Sequence, residues 1–212
     1  MSIFIVAEAG INHGGNLDVA KRLIDASKQS GANACKFQCF SSNKLWGDSR
    51  IQHLELKFED FEVLKRHCDE MRIEFLCTPF GIPEVDFLAP LVKRMKVASG
   101  CIARQDLLDA VLKTKLPIIL STGMCGIEDV RGALEYLCRE VTDVRFAVKH
   151  HGRDVTLLHC TSAYPCPINA VNLKAMDTLR KTFGLPVGYS DHTASIVVPI
   201  AAAARGAVVI EK

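Results

Sequence analysis

The sequence predicts an α/β fold, a TIM-type (β/α)8 barrel with eight strands but lacking the final helix. Two observations predict it. Short β-branched runs alternate with helix-period segments along all 212 residues, and there are eight such runs. Strict alternation implies parallel strands joined by right-handed crossovers. Eight repeats suit a closed barrel better than an open doubly wound sheet.

The units run in order. "IFIVAEA" is the first strand, and Leu17, Ala20, Leu23 and Ile24 then recur at helical spacing from Asn16, with Gly31 as the stop. "ACKFQCF" is the second strand, followed by a helix marked by Phe58, Phe61, Leu64, Cys68 and Met71. "IEFLCT" precedes a helix over 83–91, and "MKVAS" precedes "DLLDAVLK". "LPIILST" leads to a helix over 127–138, "VTLLHCTS" to one over 172–182, and "LPVGYS" to one over 195–204. "AVVIEK" is the eighth strand. No linker or low-complexity tract interrupts the pattern, so residues 1–212 are expected to form one domain. The basic connection over 143–154 runs from a helix into a strand, on the face opposite a barrel's site, and its His150 and His151 are expected to be solvated.

Bulk composition narrows the function. Hydrophobic content of 49% supplies a core, and 24% charged residues is ordinary. A net charge of +2 gives no reason to expect nucleic acid. No apolar run is long enough to span a membrane, and "MSIFIVAEAG" lacks the features of a signal peptide. The nine cysteines form no C-x-x-C pair, so they are expected to be reduced thiols in a cytoplasmic protein rather than a zinc site.

In such barrels the chemistry gathers at the C-terminal strand ends. Those ends carry Glu8, Lys36, Gln38, Thr78, Lys96, Ser99, Ser121, Thr122, His159, Thr161, Ser162, Tyr164, Tyr189, Ser190, Asp191 and His192. Core packing does not call for so polar a set. Two lysines among several hydroxyls suit an anionic, phosphorylated ligand, because lysine supplies point charge and hydroxyls bond phosphate oxygens. "GINHGG" is neither a Walker loop nor a dinucleotide fingerprint. His192 is a candidate metal ligand or base.

The motifs "AEAGINHGGNLDVAKRLIDA", "KFQ", "TPF", "KVASG", "ILSTGM", "LHCTSAYP", "VNLKAM", "VGYSDHT" and "GAVVIEK" resemble, in this order, the sialic acid synthases (N-acetylneuraminate synthase and its bacterial relatives). The resemblance runs from Ile3 to Lys212. It implies a catalytic (β/α)8 barrel that condenses phosphoenolpyruvate with an N-acetylated amino sugar such as N-acetylmannosamine and with water. The products are phosphate and a nine-carbon 2-keto sugar acid. By the same resemblance Thr78, Lys96, Ser99, Ser121, Ser162 and Ser190 would cradle phosphoenolpyruvate. His192 would hold a divalent metal, manganese or magnesium. Glu8 would either orient sugar hydroxyls or handle the proton of the water, and Lys36, Gln38 and Tyr164 would contact the sugar or the intermediate. A homodimer is the implied assembly.

Two departures stand out. Cys101 occupies a position after "SG" where the family often has an acid, which bears on sugar specificity or rate. After "IEK" the family places a second metal-binding histidine, an eighth helix and a small antifreeze-like domain, and none of these follows Lys212 in the sequence. The expectation is an incomplete synthase. The alternatives are a fragment that only binds phosphoenolpyruvate or a partner, and a sister synthase for legionaminic, pseudaminic or spore-coat sugars.

Overall fold

The computed structural model describes residues 2–41, 49–138 and 154–212. The elements are β1 (Phe4–Gly10), α1 (Leu17–Gln29), β2 (Ala34–Cys39), α2 (Phe58–Met71), β3 (Glu74–Pro79), α3 (Ile82–Leu88), β4 (Met95–Val97) and α4 (Gln105–Thr114). They continue with β5 (Ile118–Ser121), α5 (Ile127–Leu137), β6 (Val155–Cys160), α6 (Lys174–Phe183), β7 (Val187–Ser190), α7 (Val197–Ala204) and β8 (Val209–Glu211). The eight strands form one sheet in the order β3-β2-β1-β8-β7-β6-β5-β4. Every pairing is parallel. β8 bridges β1 and β7, and β3 lies against β4 across a seam without a regular ladder. The expected barrel is therefore present and nearly closed.

Local chemistry sets the elements. Asn16 caps α1 by accepting the backbone N–H of Asp18 at 2.9 Å and of Val19 at 3.1 Å. α2 ends where Arg72 turns left-handed, at φ 55°. The third helix stops at Leu88, short of the expected residue 91, because Pro90 cannot continue an α-helix. The fourth strand stops at Val97, and Ser99–Cys101 form a 3-10 turn instead of continuing it. The connection over 143–153, with His150 and His151, lies outside the described residues.

The period-2 alternation of the strands splits the core into two shells. Outward-facing residues such as Phe37, Phe75, Leu120 and Tyr189 pack with helix residues Ile24, Phe61, Leu64, Leu108 and Leu134. Inward-facing Val6, Ala34, Leu76, Ile119, Leu158 and Val209 fill the barrel as a separate apolar layer. Below it, Arg94 pairs with Glu74 at 2.7 Å and lies over the Phe4 ring.

Gly188 completes the apolar layer by having no side chain. A Cβ there would run into the Val209 carbonyl oxygen and would stand 2.7 Å from Leu158 Cδ2 and 2.9 Å from Val209 Cβ. β8 backbone cannot yield without breaking the β7–β8 ladder. Gly188→Ala is therefore expected to destabilise the barrel by on the order of 2 kcal/mol or more. Urea unfolding checks this, and an unchanged midpoint would show that the barrel centre is looser than described.

Candidate active site

Two residues on from the apolar layer, the same inward parity brings together Glu8, Lys36, Thr78, Lys96, Ser121, Cys160, Ser190 and Glu211. Lys36, Thr78, Lys96, Ser121, Ser190 and Glu211 are all buried. Gln38, Ser99, Ser162 and His192 follow at the rim and are partly buried.

The layer has a charged half on β1, β2, β7 and β8. Lys36 Nζ is ion-paired with Glu8 Oε2 and, at 3.1 Å, with Glu211 Oε2. It also donates to Thr78 Oγ1 at 3.5 Å. Glu211 Oε1 accepts from Ser190 Oγ at 2.7 Å, and that hydroxyl lies 3.4 Å from His192 Nε2. Glu8 Oε1 is closed off from solvent and has no hydrogen-bond partner.

The pKa directions follow from this arrangement. Burial raises Glu8, Lys36 opposes it, and Glu211 adds to it, leaving the carboxyl above its usual range. Burial also pushes Glu211 up, but Lys36 and Lys96 outweigh it and hold the carboxyl at about 2. Burial would lower Lys36, yet Glu211 and Glu8 together keep it above the usual lysine range. His192 is pulled down by burial, which favours the neutral imidazole.

The other half, on β4, β5 and β6, gathers an ammonium, hydroxyls and a thiol. Lys96 Nζ donates to Ser121 Oγ at 2.7 Å and to the Val97 carbonyl at 3.1 Å, both uncharged oxygens. Burial lowers its pKa, with Glu211 opposing. Ser99 Oγ accepts the Gly123 N–H at 2.9 Å and lies 3.3 Å from Cys160 Sγ. A Cβ on Gly123 would collide with the Ser162 hydroxyl at 2.5 Å, Cys160 Sγ at 2.8 Å and Ser99 Oγ at 3.0 Å. Hydroxyls and a backbone N–H thus converge on a spot that only glycine leaves open.

The polar strand-end set is narrower than the sequence suggests. His159 and Tyr189 share the outward parity. The His159 Nε2 makes a 2.9 Å hydrogen bond with the Val171 carbonyl, and its ring leans on Tyr189 outside the barrel wall. Thr122 Oγ1 donates to the Leu158 carbonyl. Tyr164 is exposed, with its ring 4.4 Å from that of His192. Cys101 is buried in the outer shell, where burial raises its thiol and Arg104 opposes. Glu211 is the site residue the sequence reading missed. The available signal was the parity of "VVIEK", which puts Glu211 on the same face as Val209.

Among the described residues no group of three or more His, Cys, Asp or Glu can hold a metal ion. His192 fits as one imidazole ligand, but it does not complete a site with them. Asp191 Oδ1 accepts the Thr193 N–H at 3.0 Å, and its Oδ2 pairs with Lys212 Nζ at 2.5 Å, bracing the turn that carries His192.

A parallel barrel whose mouth gathers lysines, carboxylates and hydroxyls at the C-terminal strand ends is an enzyme-type scaffold. The NeuB family model matches residues 23–212, and the chain belongs to that family. It is 42% identical to N,N'-diacetyllegionaminic acid synthase of Legionella pneumophila, over 100% of this chain and 64% of that protein. It is 32% identical to human N-acetylneuraminate-9-phosphate synthase, over 99% of this chain and 61% of that protein. The chain thus spans less than two thirds of the length of either. The crystal structure of N-acetylneuraminic acid synthetase from Leptospira borgpetersenii, in complex with citrate, superposes with a TM-score of 0.90 at 35% identity. That match covers 100% of this chain and 73% of that one.

The depressed Glu211 has a consequence for acid stability. A carboxyl held at about 2 in the fold and near 4.5 when unfolded contributes stability above pH ~4.5 that is lost as pH falls toward 2. The gap in stability between the wild type and Glu211→Gln is expected to shrink by on the order of 3 kcal/mol across that window. Glu8, with its raised pKa, acts with the opposite sign, and because Glu211 contributes to that rise, part of the Glu8 effect is also removed in Glu211→Gln. Denaturation at pH values from about 6 to about 2.5 checks this; a constant gap would show that Glu211 is not held ionised.

Proposed function

We propose that this chain is the catalytic barrel of a synthase that condenses phosphoenolpyruvate with an N-acetylated amino sugar and water, releasing phosphate and a nine-carbon 2-keto sugar acid. The observation that carries it is the anion half of the mouth, where Lys96, Ser99, Ser121 and Ser162 surround the opening left by Gly123. Phosphate and carboxylate oxygens accept hydrogen bonds, and each of these groups can donate one.

In this reading Lys96 and the hydroxyls bind and orient phosphoenolpyruvate, with its enol carbon turned toward the charged half. Thr78 and Ser190 complete the cradle from β3 and β7. Gln38 and Tyr164 stand at the rim, where the amino sugar enters. Lys36, paired with both carboxylates, keeps a fixed positive charge beside the reacting atoms. A divalent ion held by His192, with ligands beyond those described, would supply Lewis-acid polarisation of the sugar aldehyde. The higher identity to the legionaminic acid synthase than to the human enzyme favours a diacetylated acceptor over N-acetylmannosamine. A homodimer is part of the same proposal.

The test is to supply phosphoenolpyruvate, manganese and either N-acetylmannosamine or a 2,4-diacetamido sugar, and to follow phosphate and 2-keto acid. Faster turnover of the diacetamido sugar supports the legionaminic-type reading. Phosphoenolpyruvate binding without turnover of any acceptor would leave only the binding role. Lys96→Ala is expected to weaken phosphoenolpyruvate binding by about tenfold or more, the loss of a charge-assisted contact. Unchanged affinity by calorimetry would remove Lys96 from the cradle.

A further inference from the structure

We propose that Glu8 is the proton carrier of this mouth: phosphoenolpyruvate is taken up together with one proton, which lodges on the Glu8 carboxylate, while Glu211 stays charged. The inference rests on the phosphoenolpyruvate reading above.

The balance of charge makes a proton necessary. The inner layer holds two carboxylates, Glu8 and Glu211, and two lysines, Lys36 and Lys96; Glu211 and the lysines are buried, and Glu8 is partly buried with its carboxyl oxygens closed off from solvent. It is close to neutral before any ligand arrives. A phosphate and a carboxylate entering beside Lys96 add negative charge in a poorly solvated space, where uncompensated charge is costly.

Geometry decides where the proton goes. Glu211 Oε1 accepts from the Ser190 hydroxyl, and its Oε2 is ion-paired with Lys36 at 3.1 Å without a formal hydrogen bond. A proton on either would displace a donor. Glu8 engages Lys36 through Oε2 only, and its Oε1 has no hydrogen-bond partner. That oxygen lies next to Gly10, where an added Cβ would stand 3.1 Å from it and 3.8 Å from Gln38 Nε2. Oε1 therefore has room for a hydrogen at the edge of the mouth. The two carboxyls are also driven in opposite directions, Glu8 up by burial and Glu211 down to about 2. Environments that push a pair apart assign the proton to one member.

The remaining groups facing Glu8 do not compete in the same way. Lys36 from β2 and Lys96 from β4 oppose protonation of Glu8, and Glu211 from β8 favours it. The thiols of Cys35 and Cys77, on β2 and β3, point into the outer shell, are raised by burial and stay uncharged. Lys96 is itself lowered by burial, so it is the rival site for an incoming proton. A protonated Glu8 offers an O–H donor into the mouth, whereas an ionised one offers only acceptors.

The experiment is calorimetric titration of the purified protein with phosphoenolpyruvate near neutral pH, in buffers of different ionisation enthalpy. The slope of heat against buffer enthalpy gives the protons exchanged. Uptake of about one proton is expected in the wild type. Glu8→Gln is expected to bind phosphoenolpyruvate and lose that uptake, and the comparison removes any proton exchanged by the ligand itself. Carbon-13 NMR of the glutamate carboxyls in the unmodified protein gives a second reading. The Glu8 signal should move to its protonated position on adding phosphoenolpyruvate, and the Glu211 signal should not. Binding without proton uptake overturns the proposal and leaves the functional reading intact. Uptake that persists in Glu8→Gln moves the proton to another group, Lys96 first, and also overturns it. Absence of phosphoenolpyruvate binding overturns both.

Discussion

The structure depends on the buried ammonium of Lys36. Removing one such charge from water costs several kcal/mol, and only close, well-placed partners repay it. Here the partners are Glu8 on β1 and Glu211 on β8, with Thr78 on β3 as a neutral acceptor. Three strands must therefore meet in one register. Glu8 is the ladder partner of Lys36, and Glu211 is the ladder partner of both Val6 and Ser190. A slip of one residue anywhere along β1, β2 or β8 would turn a charge out of the mouth and leave Lys36 unpaired. The ion pairs that prepare the site thus also fix how the first and last strands close the barrel.

This arrangement needs a dry floor. Val6, Ala34, Leu76, Ile119, Leu158 and Val209 supply it directly beneath the charged layer. The floor keeps water from approaching from below, so the charges act on one another in a low-dielectric space. Gly188 belongs to the same device, since any side chain there would push β7 away from β8 and open the floor.

Much of this was legible in the sequence. The alternation of β-branched runs and helix-period segments identified all eight strands, because parallel barrel strands and their covering helices carry different periods. Lys36, Lys96 and the serines stood out because polar residues at strand ends have no packing role. The pieces that escaped depend on register or parity. Glu211 read as the charged edge of a final strand, and nothing local to "VVIEK" shows that Lys36 and Ser190 wait for it across two ladders. His159 and Tyr189 looked like site residues by position along the strand, but their parity turns them outward. The early end of β4 was hidden because "KVAS" has no breaker before Gly100, and only the tertiary contacts of Ser99 with Gly123 pull the chain into a turn.

Under the proposed function, the division of the mouth into two halves bears on why relatives named for different sugar acids share one barrel. The anion half is held by side chains that bind one another, such as Lys96 with Ser121 and Ser99 with the Gly123 N–H. Changing any one disturbs the rest; under the proposed function this half would take the substrate the relatives share. Two rim residues are less bound: Tyr164 is exposed, and Gln38 is only partly buried. These two positions can vary without unpairing a buried charge; under the proposed function they are where acceptor preference would diverge. Cys101 follows the same logic from the other side. It sits within the outer shell, packed with the core, so a carboxylate there would have to leave that packing to reach any sugar. In this barrel, then, the buried charges are locked together by strand register, and the rim is made of residues that the fold does not require.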